Sequence, residues 1–251
     1  MHGRKMPATL RFMLASRRSE LLGLEDLART CELVTRISQL VHALQKERGY
    51  SNIYLSGNAP HQRQQLDVLS LEAEALEREV RLDLDRIDLD AVSTADKTRL
   101  FTRIAYALHS LDELPALRRR IREHAISMQD ATATLVRLIG GLLAVVFEAA
   151  DTAADPDITR CLVALFNFMQ GKELAGQERA LGVVGFASGY FRADMLERLE
   201  HLLEGQERCF AIFSRFASPA AQALWQALCA SETNINACRL RDIARRTSPG
   251  A

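Results

Sequence analysis

Apolar residues recur along the chain every three or four positions, and no stretch sustains an alternation of period two. The pattern predicts helices throughout. Leu27, Cys31, Val34, Val41 and Leu44 form one stripe along a long first helix over 18–56. Ser56-Gly57-Asn58-Ala59-Pro60 ends it, with a glycine at the C-terminus and a proline beyond. Leu66, Leu69, Ala73, Leu76, Val80, Leu84 and Ile87 mark a second helix over 61–88. Leu100, Ile104, Leu108 and Leu111 mark a third, which Pro115 breaks or kinks. Leu117, Ile121 and Met128 lead on to an apolar helix over 131–150. Its uninterrupted run, 138–147, is about half of the roughly 20 residues that span a bilayer and reads as a central buried helix. Gly140 and Gly141 inside it predict close helix approach. Asp155-Pro156 and Ser218-Pro219 each supply a capping side chain followed by proline, and open helices over 157–187 and 219–246, with another over 192–217 between them. Seven or eight helices joined by short polar connections predict an all-α fold of two packed up-and-down bundles sharing long helices. Residues 1–17 read as a basic N-terminal segment, 18–246 as the helical domain and 247–251 as a frayed tail.

Composition narrows the function. With 251 residues, 48% hydrophobic and 25% charged, the chain is an ordinary globular sequence, not a disordered one. Lys+Arg and Asp+Glu number 32 each, so nucleic-acid capture by a net positive field is not expected. Cys31, Cys161, Cys209, Cys229 and Cys238 are scattered and form no C-x-x-C, which predicts free thiols in a reducing cytoplasm. None of the internal histidines has a glutamate three positions earlier, so a di-iron bundle is not predicted. No nucleophile motif, phosphate-cradling loop or H-E-x-x-H is present. Neither catalysis, nor a metal, nor a cofactor is expected.

The informative residues are charges that fall on apolar stripes. The first stripe, extended by one turn, lands on Arg48, with Glu47 and Gly49 about 100° to either side. After Pro156, Cys161, Leu165, Phe168, Ala175, Gly182 and Phe186 share a stripe whose missing turns are Lys172 and Arg179. Leu224, Leu228 and Ile235 lead in the same way to Arg239. A buried guanidinium keeps its proton and needs an anionic partner. That partner is either a carboxylate on a facing helix or a bound anion. A planar, fork-shaped donor suits a planar oxoanion with paired acceptors.

Two stretches carry a resemblance. Leu44-Gln45-Lys46-Glu47-Arg48-Gly49-Tyr50-Ser51-Asn52 resembles the opening signature of the nitrate- and nitrite-sensing (NIT) domain family. Gly171-Lys172-Glu173-Leu174-Ala175-Gly176-Gln177-Glu178-Arg179-Ala180, followed by Gly185-Phe186 and Gly189, is similar to its second signature. The resemblance runs over 18–246 and is nearest to the sensor part of nitrate-responsive transcription antiterminators. It implies an all-helical sensor holding nitrate or nitrite between two bundles. Arg48 and Arg179 match the arginines of the two motifs. Arg239 is the choice for a further C-terminal arginine, with Arg241 one register away. Gln45, Lys172 and Arg241 are candidates for supporting roles, although Lys172 and Gln45 also suit ordinary surface or paired positions. The RNA-binding ANTAR module of those antiterminators is not expected in this chain, so direct nucleic-acid binding is not carried over. The expectation is a cytoplasmic sensor, a homodimer through its long first helix, signalling to a protein partner. The rival readings are a helical adaptor without ligand and a nitrate-responsive RNA-binding antiterminator that lacks its usual output domain and works with its basic tail alone.

Overall fold

A computed structural model describes residues 7–57, 60–87, 98–151 and 155–246. Within them lie nine helices: α1 (Ala8–Ser56), α2 (Pro60–Asp85), α3 (Thr98–Asp112), α4 (Leu114–Arg122), α5 (Met128–Asp151), α6 (Pro156–Ser188), α7 (Ala193–Phe216), α8 (Pro219–Cys229) and α9 (Glu232–Arg246). The all-α expectation is met, and the local signals act where they were read. The Asp155 carboxylate accepts from the backbone N–H groups of Asp157 and Ile158 at 2.9 and 3.0 Å, and the Ser218 hydroxyl from that of Ala221 at 3.3 Å. Pro115 sits in the first turn of α4, directly after the break that ends α3. Gly189 closes α6 in the left-handed region, at φ 77°.

Three expectations need correction. The helix read from residue 18 begins at Ala8, so 8–17 is helical; residues 1–6 of that basic segment, and the tail 247–251, lie outside the described residues. The helix read over 219–246 is two, because the chain turns at Ala230 and Ser231, where the Ser231 hydroxyl bonds the Leu228 carbonyl at 2.7 Å and receives Asn234 N–H at 3.3 Å. A Cβ added at Gly140 or Gly141 would meet nothing within 4 Å, so neither serves a close approach.

α1, α2, α3 and α5 pack as one bundle, with α4 closing its end. Its core runs from Leu33 to Tyr54 on α1 and through Leu135, Ile139, Leu142 and Val146 on α5, and it continues onto α6 through Leu162 and Met169. α5 is the one helix among the described residues long and apolar enough to match a membrane span in length and composition, which its run-length alone did not suggest. Its apolar surface faces α1, α3 and α6. The second group is α6 to α9, and α6 and α7 lie closest. Gly171 admits the Phe210 ring and Gly205 admits Leu174, where a Cβ would collide at 2.6 and 2.9 Å. Phe168, Phe210, Phe213 and Trp225 stack on one another at the α6–α7–α8 junction. This group is looser: no residue of α8 is buried, and α9 buries only Ala244.

Candidate functional site

The two signature stretches meet where α1 crosses α6. Contacts between the helices advance together: Ser38 with Met169, His42 with Lys172, Gln45 and then Arg48 with Glu173. The two helices therefore run in the same direction. This places residues 45–49 opposite residues 173–179.

Arg48 is only 4% exposed, as the extended stripe required. Its partner is Glu173, 3% exposed, which accepts from Nη1. Glu173 also accepts from Gln45 Nε2 at 2.9 Å and Gln177 Nε2 at 3.0 Å. So the facing carboxylate, one of the two partners left open by the sequence, is present. It engages only one corner of the guanidinium. Among the described residues, neither Nε nor Nη2 of Arg48 has a hydrogen-bond partner. That side-on fork is the pair of donors that suits a planar oxoanion.

Each signature arginine reaches the other helix at a glycine. Arg48 Nη2 lies 2.8 Å from where a Cβ of residue 176 would sit, and Arg179 Nη2 lies 3.5 Å from the corresponding point at Gly49. Any side chain at 176 would displace the Arg48 fork. The glycines thus admit guanidinium tips. Arg179 is exposed, contrary to the inward position its stripe implied, and it makes no ion pair or hydrogen bond among the described residues. Its stripe skirts the edge of the crossing, ending at Phe186, which is 42% exposed.

The other candidates divide. Gln45 is buried, donates to Glu173 and leaves its Oε1 without a donor. Lys172 is half-buried with Nζ 2.6 Å from His42 Nδ1. Burial, and then the nearby Lys46, push the Lys172 ammonium below its ordinary range, against the pull of Glu173. His42 is likewise pushed down, by burial and by Lys172 and Lys46. Arg239 is exposed and, among the described residues, bonds only Asn236 at 3.2 Å. The stripe that pointed it inward faces solvent: Leu224, Leu228 and Ile235 are 74, 52 and 46% exposed. The stripe is already exposed on α8, ahead of the break, so its apolar pattern did not mark a buried face. Arg241 is the arginine of α9 that reaches α6, where both oxygens of Glu178 accept from it at 2.6 and 2.8 Å. Those hydrogen bonds hold its guanidinium above the ordinary arginine range. Gln206 links to both members of the pair.

Sequence reasoning missed a second buried arginine. Arg118 of α4 is 3% exposed and gives Nε and Nη2 to the two oxygens of Glu47, at 2.7 and 2.9 Å. Ser70 of α2 adds a donor to Glu47 at 2.8 Å, and Arg118 Nη1 reaches Glu74 at 3.3 Å. Burial works against this cation, but the Glu47 hydrogen bonds and the charges of Glu47, Glu74 and Glu77 outweigh it and raise its pKa. Glu47 flanks the α1 stripe, and Arg118 follows the apolar Leu117. Neither announces the other, because the pair spans 71 residues.

The crossing is built from the two signature stretches, and the sequence profile for nitrate and nitrite sensing matches residues 39–251. The chain belongs to the nitrate- and nitrite-sensing family. It is 37% identical over 245 residues to the nitrate regulatory protein of Klebsiella oxytoca, an alignment covering 98% of this chain and 60% of that protein. Its fold matches the structure of the NasR transcription antiterminator with a TM-score of 0.82 and 36% identity, over 98% of this chain and 65% of that one. The chain thus spans less than two thirds of either relative. Both are described as regulatory proteins, not as enzymes.

Proposed function

We propose that the chain is a cytoplasmic nitrate and nitrite sensor whose anion seat is the α1–α6 crossing. The observation that carries the proposal is the unused Nε–Nη2 fork of the buried Arg48, lying against Gly176 with Arg179 on the adjoining Gly49. Nitrate is flat, singly charged and weakly hydrated, so a fork in a water-poor seam takes it at little desolvation cost. Arg48 is the principal donor in this reading and Arg179 closes over the anion from the open side. Gln45 and Lys172 line the approach. The C-terminal arginine is Arg239 or Arg241; Arg241 already reaches α6 beside Arg179, and Arg239 would have to turn inward with its helix. The anion draws the two arginine-bearing helices together and shifts the balance between arrangements of the two helical groups. An output partner senses that shift.

A homodimer completes the proposal. The N-terminal end of α1 leaves Leu10, Met13, Leu14, Leu21 and Leu24 exposed, and a second copy covers them. A helical adaptor without ligand is the second reading, favoured by Arg48 and Arg241 already having glutamate partners.

Thermal unfolding separates the two. In anion-free protein, nitrate or nitrite at 100 times its Kd adds roughly 2.7 kcal/mol, while chloride does not. Arg48→Ala abolishes the response and Arg179→Ala weakens it; Arg239→Ala and Arg241→Ala decide between the two α9 arginines. A parent protein that shows no nitrate-dependent rise in Tm belongs to the adaptor reading.

A further inference from the structure

We infer that Glu173 makes the α1–α6 crossing selective for singly charged over doubly charged oxoanions, an inference that rests on the anion reading above. Arginines alone favour the wrong ligand. Each cation attracts sulfate or hydrogen phosphate with twice the Coulomb energy that it attracts nitrate. A fixed negative charge beside the seat cuts that advantage, since it repels the dianion twice as strongly, and the larger cost of dehydrating a dianion then decides for the singly charged ion.

Glu173 meets the requirement of being fixed. Three donors converge on its buried carboxylate, from Arg48, Gln45 and Gln177. They come from both helices, so the carboxylate cannot swing out without breaking contacts to α1 and α6 together. It occupies one corner of the Arg48 guanidinium and leaves the side-on fork open, close to the charge it must screen. Of the other charges nearby, Glu178 holds Arg241, while the Lys172 ammonium faces the His42 imidazole at 2.6 Å and has no carboxylate bonded to it among the described residues. Glu173 largely offsets the Arg48 charge and so lowers the net positive charge that a dianion would exploit. Glu173 is thus a positioning and selectivity residue acting through Arg48, and it does not itself hold the ligand.

The test measures dissociation constants for sodium nitrate and sodium sulfate at constant ionic strength, by calorimetry on anion-free protein. Glu173→Gln keeps the shape and removes the charge. It narrows the nitrate-over-sulfate preference by roughly a hundredfold or more, since one unit charge about 4 Å away at an effective dielectric near 20 is worth up to about a thousandfold. Glu173→Asp keeps the preference. Gln177→Glu, at a half-buried position on the same helix, places a second carboxylate there and widens the preference, which keeps the inference testable if Glu173→Gln does not fold. A merely structural role for Glu173 changes both affinities together and leaves their ratio alone. Nitrate binding with an unchanged ratio in either charge-changing variant overturns this inference and spares the anion reading. A parent protein that binds no nitrate overturns both.

Discussion

Arg118 and Arg48 are both almost wholly buried, the first packed against α1 and the second on it, and both meet a glutamate, yet the two regions leave different things over. Around Arg118 every donor edge is engaged: the fork grips both oxygens of Glu47, and Nη1 reaches Glu74. Around Arg48 the carboxylate takes one corner, and the fork lies open against a glycine. A saturated pair locks helices together. An unsaturated one with the same burial holds donors ready for a guest. Burial of an arginine is therefore a poor guide to function by itself; the count of its unused donors is the better one.

The contrast can be broken most forcefully at Glu47. Glu47→Ala leaves the Nε–Nη2 fork of Arg118 buried without an acceptor, with only Glu74 still in reach of Nη1, and destabilises the fold by about 3–5 kcal/mol in urea unfolding. The paired replacement Glu47→Met with Arg118→Leu recovers most of that loss. The paired replacement leaves the ratio of nitrate to sulfate affinity unchanged, since it removes one charge of each sign on the α2–α4 side of α1. A smaller, sharper effect comes from the two glycines. Gly176→Ala drives a Cβ into the Arg48 fork and weakens nitrate binding about tenfold or more, while Gly49→Ala makes only ordinary contact with Arg179 and raises stability by roughly 0.5–1 kcal/mol through helix propensity. Equal effects of the two would remove the special status of the Arg48 fork. On α9, Arg241→Ala costs about 1 kcal/mol by losing its two-point grip on Glu178, whereas Arg239→Ala stays within about 0.5 kcal/mol.

The mildest prediction concerns acidity. His42 titrates below its ordinary 6.5 in the folded chain because burial and two lysines oppose its charge. The unfolded chain therefore takes up a proton first as pH falls through 6.5. Stability declines from there until the folded imidazole also protonates, then levels off. His42→Gln flattens that slope in a pH series of Tm values; a slope that persists belongs to another group.

Much of this was legible in the chain, for local reasons. The cap-proline pairs at Asp155-Pro156 and Ser218-Pro219 set helix starts through backbone chemistry within three residues. Arg48 was found because α1 is unbroken, so a stripe counted from Leu27 keeps its phase through four turns and more. The same counting failed at Arg239, because its stripe, Leu224 and Leu228 included, faces solvent, and because the chain turns at Ala230 and Ser231 before reaching it. Arg179 lay on the right helix but at the rim of its stripe, where periodicity does not resolve buried from exposed. Glu173 stood inside a recognised motif, but its bond to Arg48 joins residues 125 apart, and no local pattern encodes such a pairing. The Glu47–Arg118 network was invisible for the same reason.

One last consequence follows from the length of α1. At about 1.5 Å per residue, some 60 Å of continuous helix separates Arg48 from Ala8. Over that span a tilt of only about one degree at the arginine swings the far tip by about 1 Å. On the sensor reading proposed above, the rod would be a mechanical lever, turning a shift too small to notice at its fulcrum into a displacement of its far end.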